Sequence, residues 1–286
     1  MLPSQILLRP MRHVSATVTR SASSYARNPA SRAATKKRLK TESSQIEANV
    51  SFLLPTTLVA PPLWRYPRQP SKFVHMLWLH LKARFDAFKS LVGFKVMSAP
   101  KLLMSRPRFK AQRASAIPTA KALHVQMSEA FAAGDRESLR SICSTELHRS
   151  LVEAIDARPR GVRTEWELVK YDKTWYYPRL ADWRIAMLPR QTGGMTTIKQ
   201  AVVSISSVQR LARYDDTKGG AKINGSERVR HMLEHIVLQA DINDKTYEHG
   251  PWRLWGTIPE STYESYLQEI ADSQVAFSED QRQARS

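Results

Sequence analysis

Glu234 stands between His231 and His235, and two imidazoles four residues apart beside a carboxylate raise the question of a metal ion. On a helix the two histidines would share a face and could bind one ion. On a strand they also share a face, but about 13 Å separates them. The stretch Val229 to Ile236 reads at least as well as a strand, and no third ligand is indicated, so no metal site is expected. Tyr177 and Asp182, with the same histidines, could supply acid–base groups to an interior cavity, although spacing alone does not bring them together. Cys143 is the single cysteine, within Leu139-Arg140-Ser141-Ile142-Cys143. It leaves no internal disulfide and no cysteine-based zinc site, and reads as a buried thiol rather than a nucleophile. The chain holds no phosphate loop, no Gly-rich dinucleotide turn and no His-Glu-x-x-His motif. The expectation is a binding protein without a cofactor, not an enzyme.

The binding chemistry is electrostatic. The net charge of +18 resides in the first 113 residues, where 21 Lys and Arg face three acids (Glu42, Glu47, Asp86). From Ala114 onward 23 basic and 23 acidic residues balance. A neutral body carrying a basic arm implies an anionic partner, either nucleic acid or a membrane surface.

Residues 1–40 hold Arg9, Arg12, Arg20, Arg27, Arg32, Lys36, Lys37, Arg38 and Lys40, interspersed with Ser and Thr and without an acid. That is the composition of a mitochondrial transit peptide, and no apolar run long enough for a secretory signal interrupts it. A disordered nucleic-acid-binding tail is the alternative. With this segment removed, residues 41–113 retain 12 basic residues and three acids. Residues 41–70 are Pro-rich: Pro55, Pro61, Pro62, Pro67 and Pro70 forbid a helix and favour extended chain. Leu53, Leu54, Leu58, Val59, Leu63, Trp64 and Tyr66 make that chain an apolar strip bearing Arg65 and Arg68. It is suited to lying along a surface, its own domain's or another's.

Within residues 71–113, Ser71 caps a predicted helix that runs to about Val92, before Gly93. Phe73, Leu77, Trp78, Leu81, Phe85, Phe88 and Val92 recur at three- and four-residue steps as one apolar face, with Lys72, His75, Lys82, Lys89 and Lys95 mainly off it. A basic amphipathic helix with aromatic residues on its apolar side suits the plane of a membrane surface, and equally suits packing on a domain. Lys101, Arg106, Arg108, Lys110 and Arg113 follow in a basic connector able to touch lipid headgroups or RNA phosphate. No run of about 18 apolar residues exists to span a bilayer.

The body, residues 114–273, opens with three short predicted helices: one capped by Thr119 after Pro118, one starting at Gly134-Asp135, one from Thr145. The period then changes to strands near 164–171, 175–188, 198–211, 235–242 and 252–258, with turns at Gly193-Gly194, Gly219-Gly220 and Asn243-Asp244. A final helix is expected from Pro259 through Ile270, and residues 274–286 are expected to be a disordered tail. Helices first and a meander afterwards predict an α+β fold, with helices on one face of a curved antiparallel sheet of four or five strands.

The stretch Met127 to Asp135, then Leu139 to Ser144 and Leu147, and the closing Trp252-Arg-Leu-Trp-Gly-Thr-Ile258 resemble the Tim-forty-four-like domain family over roughly Phe73 to Ile270. That family includes a motor-anchoring subunit of the inner-membrane translocase, a fungal inner-membrane mitoribosome receptor and animal large-subunit mitoribosomal protein forty-five. The Pro-rich segment before a basic aromatic helix is closer to the receptor branch, since the anchor's long charged N-terminal region is missing. The resemblance implies a nuclear-transport-factor-two-like cone with an apolar pocket. It also implies three partners at the matrix face of the inner membrane: the mitoribosomal large subunit near its exit tunnel, anionic lipid and the membrane insertase. A permanent ribosomal protein, an import-motor anchor and a small-molecule enzyme in the cone are the alternatives.

Overall fold

The structure, a computed structural model, describes residues 53–54, 57–99, 105–189 and 195–285, all within one compact unit, Ser51–Ser286. Residues 1–40, expected to be a transit peptide, Lys101 and the expected Gly193-Gly194 turn lie outside the described residues. Helix α1 (Pro70–Met97) precedes α2 (Arg113–Ala133), α3 (Arg136–Ile142) and α4 (Thr145–Asp156). Strands β1 (Val162–Tyr171), β2 (Arg179–Pro189), β3 (Met195–Asp215), β4 (Ala221–Lys222), β5 (Arg228–Ile242) and β6 (Arg253–Ile258) follow, and α5 (Tyr263–Arg285) ends the order. The fold is α+β with an open antiparallel sheet, consistent with the nuclear-transport-factor-two-like cone.

Strand β3 organises the sheet. Its first part pairs with β2 (Trp183 opposite Ala201) and its last part with β1 (Trp166 opposite Leu211), while β5 runs along it from Thr197 to Leu211. Residues Thr197 to Val208 are buried without a break, the pattern of a strand covered on both faces. On one face Ala201, Val203 and Ile205, with Ile236 and Leu238 of β5, meet Ala116 and Ala120 of α2, Leu139 of α3 and Leu147 and Leu151 of α4. Cys143 is buried in this core, and desolvation pushes its thiol up to about 12, as expected of an inert core cysteine.

The opposite face is covered by the Pro-rich strip. Val59 packs with Val202 and Val237. Since an extended strap cannot satisfy its own backbone, the sheet's side chains do so: the Leu54 amide donates to Gln200 Oε1 and the Leu58 amide to Asp182 Oδ2. The Val59 amide donates to Ser261 Oγ, and Arg179 donates to the Ala60 carbonyl. The strip thus wraps its own domain, and leads through a 3-10 turn at Leu63–Arg65 into α1.

Several local expectations differ from the structure. Helix α1 starts at Pro70 after Gln69, so Ser71 lies inside its first turn and is not its cap. Helix α1 passes through Gly93 to Met97, because Leu91 and Phe94 are buried beyond the sequence's apparent stop and outweigh the roughly 1 kcal/mol cost of a helical glycine. Helix α2 begins at Arg113 and contains Pro118, so Thr119 is not its cap; fully buried Ala116 and Ala120 hold the turns either side of the proline. Helix α5 runs through Arg285, across the stretch read as a tail, anchored by Tyr266, Leu267 and Ile270 against the strap and α1. By contrast the Gly134-Asp135 punctuation works as the residues suggest: Gly134 adopts φ 76°, and the Asp135 carboxylate accepts from the amides of Glu137 and Ser138.

Two predictions follow from this packing. Val59→Asp would bury an unpaired carboxylate between Val202 and Val237, and should cost about 3 kcal/mol or more, read as a fall in thermal midpoint. Lys199 supplies the second. Its ammonium is fully buried without a hydrogen-bond acceptor, 4.3 Å from the Trp252 ring centroid and 5.8 Å from that of Trp183. Burial pushes its pKa down from 10.5 to about 8. Between those values the unfolded chain binds the extra proton, so stability should rise with pH from about 8 to 10.5. Lys199→Met should flatten that rise in a pH series of thermal melts.

Candidate functional site: a second apolar face on α1

Helix α1 is apolar on two opposite sides. At about 100° per residue, Met76, Leu79, Ala83, Leu91 and Phe94 form the buried side. They pack against Leu58, Ala60, Tyr66 and Tyr266 at one end and Phe109, Ile185 and Ile242 at the other. The Ser90 hydroxyl also donates to the Ile185 carbonyl at 2.9 Å, fastening the helix to β2.

Val74, Trp78, Leu81, Phe85, Phe88, Val92 and Val96 follow one another at steps of four, three, four, three, four and four, which places them along a single line on the other side. All are exposed; Trp78, Phe85 and Phe88 leave 61%, 60% and 57% of their surface open. Surface tryptophan and phenylalanine in one contiguous row are not the scattered exposed apolar residues of an ordinary surface. Of the apolar face read from the sequence, Trp78, Leu81, Phe85, Phe88 and Val92 belong to this row. Phe73 and Leu77 instead turn toward the strap and α5 and are half-buried. Val74 and Val96, which extend the row, were not singled out from the sequence. Their spacing was the available signal, masked because the inner face is equally apolar.

The cations flank the row. Lys82 and Lys89 lie on one side of it and Arg84 and Lys95 on the other, all exposed. Lys89 reaches Asp86 at 3.2 Å and lies 5.2 Å from the Phe85 ring centroid, so its aliphatic stem borders the apolar surface while its charge stays in solvent. Arg106, Arg108 and Lys110 are exposed on the connector after α1, and Arg113 at the first residue of α2; the connector is pinned by buried Phe109 edge-on to Phe94 at 4.8 Å. The Phe109 amide donates to Ser98 Oγ, so these charges are held close to the C-terminal end of the row.

Arg65, Arg68 and Lys72 instead line a groove of about 610 Å³ between the strap and the start of α5. Arg65 pairs with Glu260 at 2.8 Å and Lys72 with Glu264 at 3.3 Å, and the Lys72 ammonium also lies 5.7 Å from the Tyr263 ring centroid. Lys72 is half-buried, and a backbone hydrogen bond first, then pairing with Lys72, hold the exposed Glu264 carboxyl below its ordinary range. Arg65 therefore ties the turn ahead of α1 to the segment just before α5, Lys72 ties α1 to α5, and Arg68 remains exposed beside them.

The residues with acid–base potential do not converge. His231 and His235 both lie in β5, with the separation a strand imposes, and Glu234 between them points to the other face, where it accepts from His124 at 3.0 Å. Burial alone would raise the Glu234 carboxyl, but hydrogen bonds from His124 and Gln209 hold it low. His231 is exposed and meets Asp172, whereas His235 is buried against the Ser204 hydroxyl, and desolvation drives its imidazole down to about 4. Asp182 serves the strap and Arg184, and Tyr177 is buried beside Arg179. Among the described residues no helix is long and apolar enough to cross a membrane.

Residues 70–285 match the family described as MBA1-like protein. An uncharacterized protein of Schizosaccharomyces pombe is 26% identical over 164 residues, covering 57% of this chain and 54% of the relative, so the chain spans about half the length of that relative. The intermembrane space region of the chloroplast protein ARC6 is 13% identical and covers 55% of this chain and 100% of its own, at a TM-score of 0.29 that is too low to argue from. The family match takes in α1 with both its apolar faces, the whole sheet and α5, and on that extent the chain belongs to the MBA1-like protein family, a mitoribosome-associated family.

Proposed function

We propose that the chain is a peripheral mitoribosome receptor on the matrix face of the inner membrane, of the receptor branch rather than a permanent ribosomal protein or an import-motor anchor. Residues 1–40 are its import address. The outer row of α1 enters the headgroup layer of an anionic membrane, and the basic connector from Lys101 to Arg113 meets rRNA phosphate or lipid headgroups close by. The α+β body, held against α1, then sits at a set distance from the bilayer and aligns the exit tunnel with the membrane insertase.

The single observation that carries this reading is the exposed row Val74 to Val96 between two lines of cations. An in-plane helix buries its apolar line at the acyl boundary while lysine and arginine on both flanks meet lipid phosphate. A second copy of the helix would set cations against cations, so a symmetric helix pair is disfavoured. Family membership supports the ribosomal side of the reading.

Flotation of the full-length chain with vesicles tests the membrane contact. Phe85→Asp/Phe88→Asp should reduce binding to anionic vesicles at least ~10-fold, the order expected for withdrawing two aromatic side chains from an apolar phase. Its thermal midpoint should stay close to the parent's, since both positions are exposed. Equal flotation of the variant and the parent would sink the membrane contact. Charge reversal at Lys101, Arg106, Arg108 and Lys110 should weaken ribosome or vesicle binding, with the deficit largest at low salt. Unchanged binding would show these charges to be solvated surface only.

A further inference from the structure

Away from the outer row of α1, two turns from distant parts of the chain bring a group of aromatic rings to the surface. Trp64 stands in the 3-10 turn Leu63–Arg65, and Trp175 and Tyr176 in the turn between β1 and β2. The Trp64 and Trp175 ring centroids are 6.5 Å apart with 35° between the planes, and Tyr176 lies 6.0 Å from Trp64 and 5.4 Å from Trp175. Trp64 is 69% exposed and Trp175 75%. Leaving two indoles in water forfeits apolar burial, and neither ring serves the core.

The ledge is stiff. The Arg65 amide donates to the Pro62 carbonyl and the Tyr66 amide to the Leu63 carbonyl, closing the first turn. In the second, the amides of Tyr176 and Tyr177 both donate to the Lys173 carbonyl, and the Asp172 amide donates to the Ser206 carbonyl of β3. The Arg179 guanidinium lies 4.5 Å from the Tyr176 ring centroid and is itself held by the Ala60 carbonyl. The backbones that carry the rings are therefore tied down by hydrogen bonds, and Tyr176 is backed by Arg179.

The surrounding charge selects the partner. Of the acids near the two turns, Glu260 is paired with Arg65 and Asp172 accepts from His231, while Arg68 and Lys173 are exposed. The ledge thus suits an anion that also offers flat π faces. Unpaired nucleotides have both: bases stack on aromatic rings irrespective of sequence while basic residues track the phosphates. An anionic bilayer has the charge but no planar group, and an acidic peptide brings such groups only where its sequence carries aromatic residues.

We propose that Trp64, Trp175 and Tyr176 form a stacking platform for unpaired RNA bases, with Arg68 and Lys173 meeting the adjoining phosphates. The proposal builds on the mitoribosome-receptor reading and assigns the contact to a single-stranded element of the RNA rather than to a duplex.

Intrinsic tryptophan fluorescence of the full-length chain, titrated with single-stranded and duplex oligoribonucleotides of equal length, tests it. Single-stranded RNA should quench the fluorescence, and Trp64→Ala/Trp175→Ala, followed by the anisotropy of a dye-labelled oligonucleotide because the variant lacks the reporting indoles, should weaken its binding at least ~10-fold. Arg68→Glu/Lys173→Glu should make the salt dependence shallower, by a little over one unit of slope for two lost phosphate contacts. No quenching, equal affinity of the tryptophan variant, or equal preference for the duplex would overturn the platform. The same would follow if the variant lost anionic-vesicle binding while keeping RNA binding. Cosedimentation with mitoribosomes is measured in parallel. A variant that fails on oligonucleotides while the parent cosediments localises the defect to the ledge. A parent that binds oligonucleotides without cosedimenting contradicts the receptor reading and leaves the platform in place.

Discussion

A strand buried on both faces needs two covers, and β3 is such a strand from Thr197 to Val208. Helices α2, α3 and α4 supply the first through Ala116, Ala120, Leu139, Leu147 and Leu151. The second face, with Val202, Val237, Trp255 and Ile258, would be left to water if the domain began at α2. The strap ahead of α1 fills that place with Val59 and Leu53, and hands its backbone hydrogen bonds to Gln200, Asp182 and Ser261. An extended segment does this where a helix could not, because its prolines remove the demand for a helical ladder and leave amides free to meet side chains.

The position of α1 follows from that arrangement. The strap delivers the chain at Tyr66, whose ring packs 5.5 Å from Phe73 and whose hydroxyl meets the His80 ring at 3.1 Å. Burial first, and then Arg84, push the His80 imidazole down. With its inner face committed to the body from Met76 to Phe94, the helix cannot rotate to hide its outer row, and the row remains open to a second phase. The basic connector is fixed in the same way by Phe109. The proposed docking surface is thus a consequence of core packing, since it and the surface that folds are opposite sides of one helix.

Much of this was legible in the residues. Alternation marked the strands, Gly219-Gly220 marked the turn between β3 and β4, and Gly134-Asp135 marked the break between α2 and α3. The charge step at residue 113 separated arm from body correctly as a matter of composition, yet not as a matter of folding, since Leu54, Leu58, Val59, Ala60 and Tyr66 of the strap and Met76, Leu79, Ala83, Leu91 and Phe94 of α1 are core. That was hidden because Pro-rich extended chain carries no periodicity that reports burial. In α1, two apolar faces half a turn apart make the helix look uniformly apolar, so Phe73 and Leu77 were grouped with Trp78 and Phe85 although the fold sends them to different environments. The apposition of Trp64 and Trp175 joins segments more than a hundred residues apart, which no local pattern can announce. His231 and His235 show the opposite case, where strand spacing alone was enough to argue against a shared ion.

The central claim is that α1 faces the body with one side and lipid with the other at the same time. Spin labels placed singly from position 81 to 89 on vesicle-bound protein would measure this, through collision with a lipid-soluble and a water-soluble relaxing agent. The account predicts a helical period, with lipid exposure greatest at 81, 85 and 88, water exposure at 82, 86 and 89, and protection from both at 83. Water accessibility at 81, 85 and 88 equal to that at 82, 86 and 89 would contradict it.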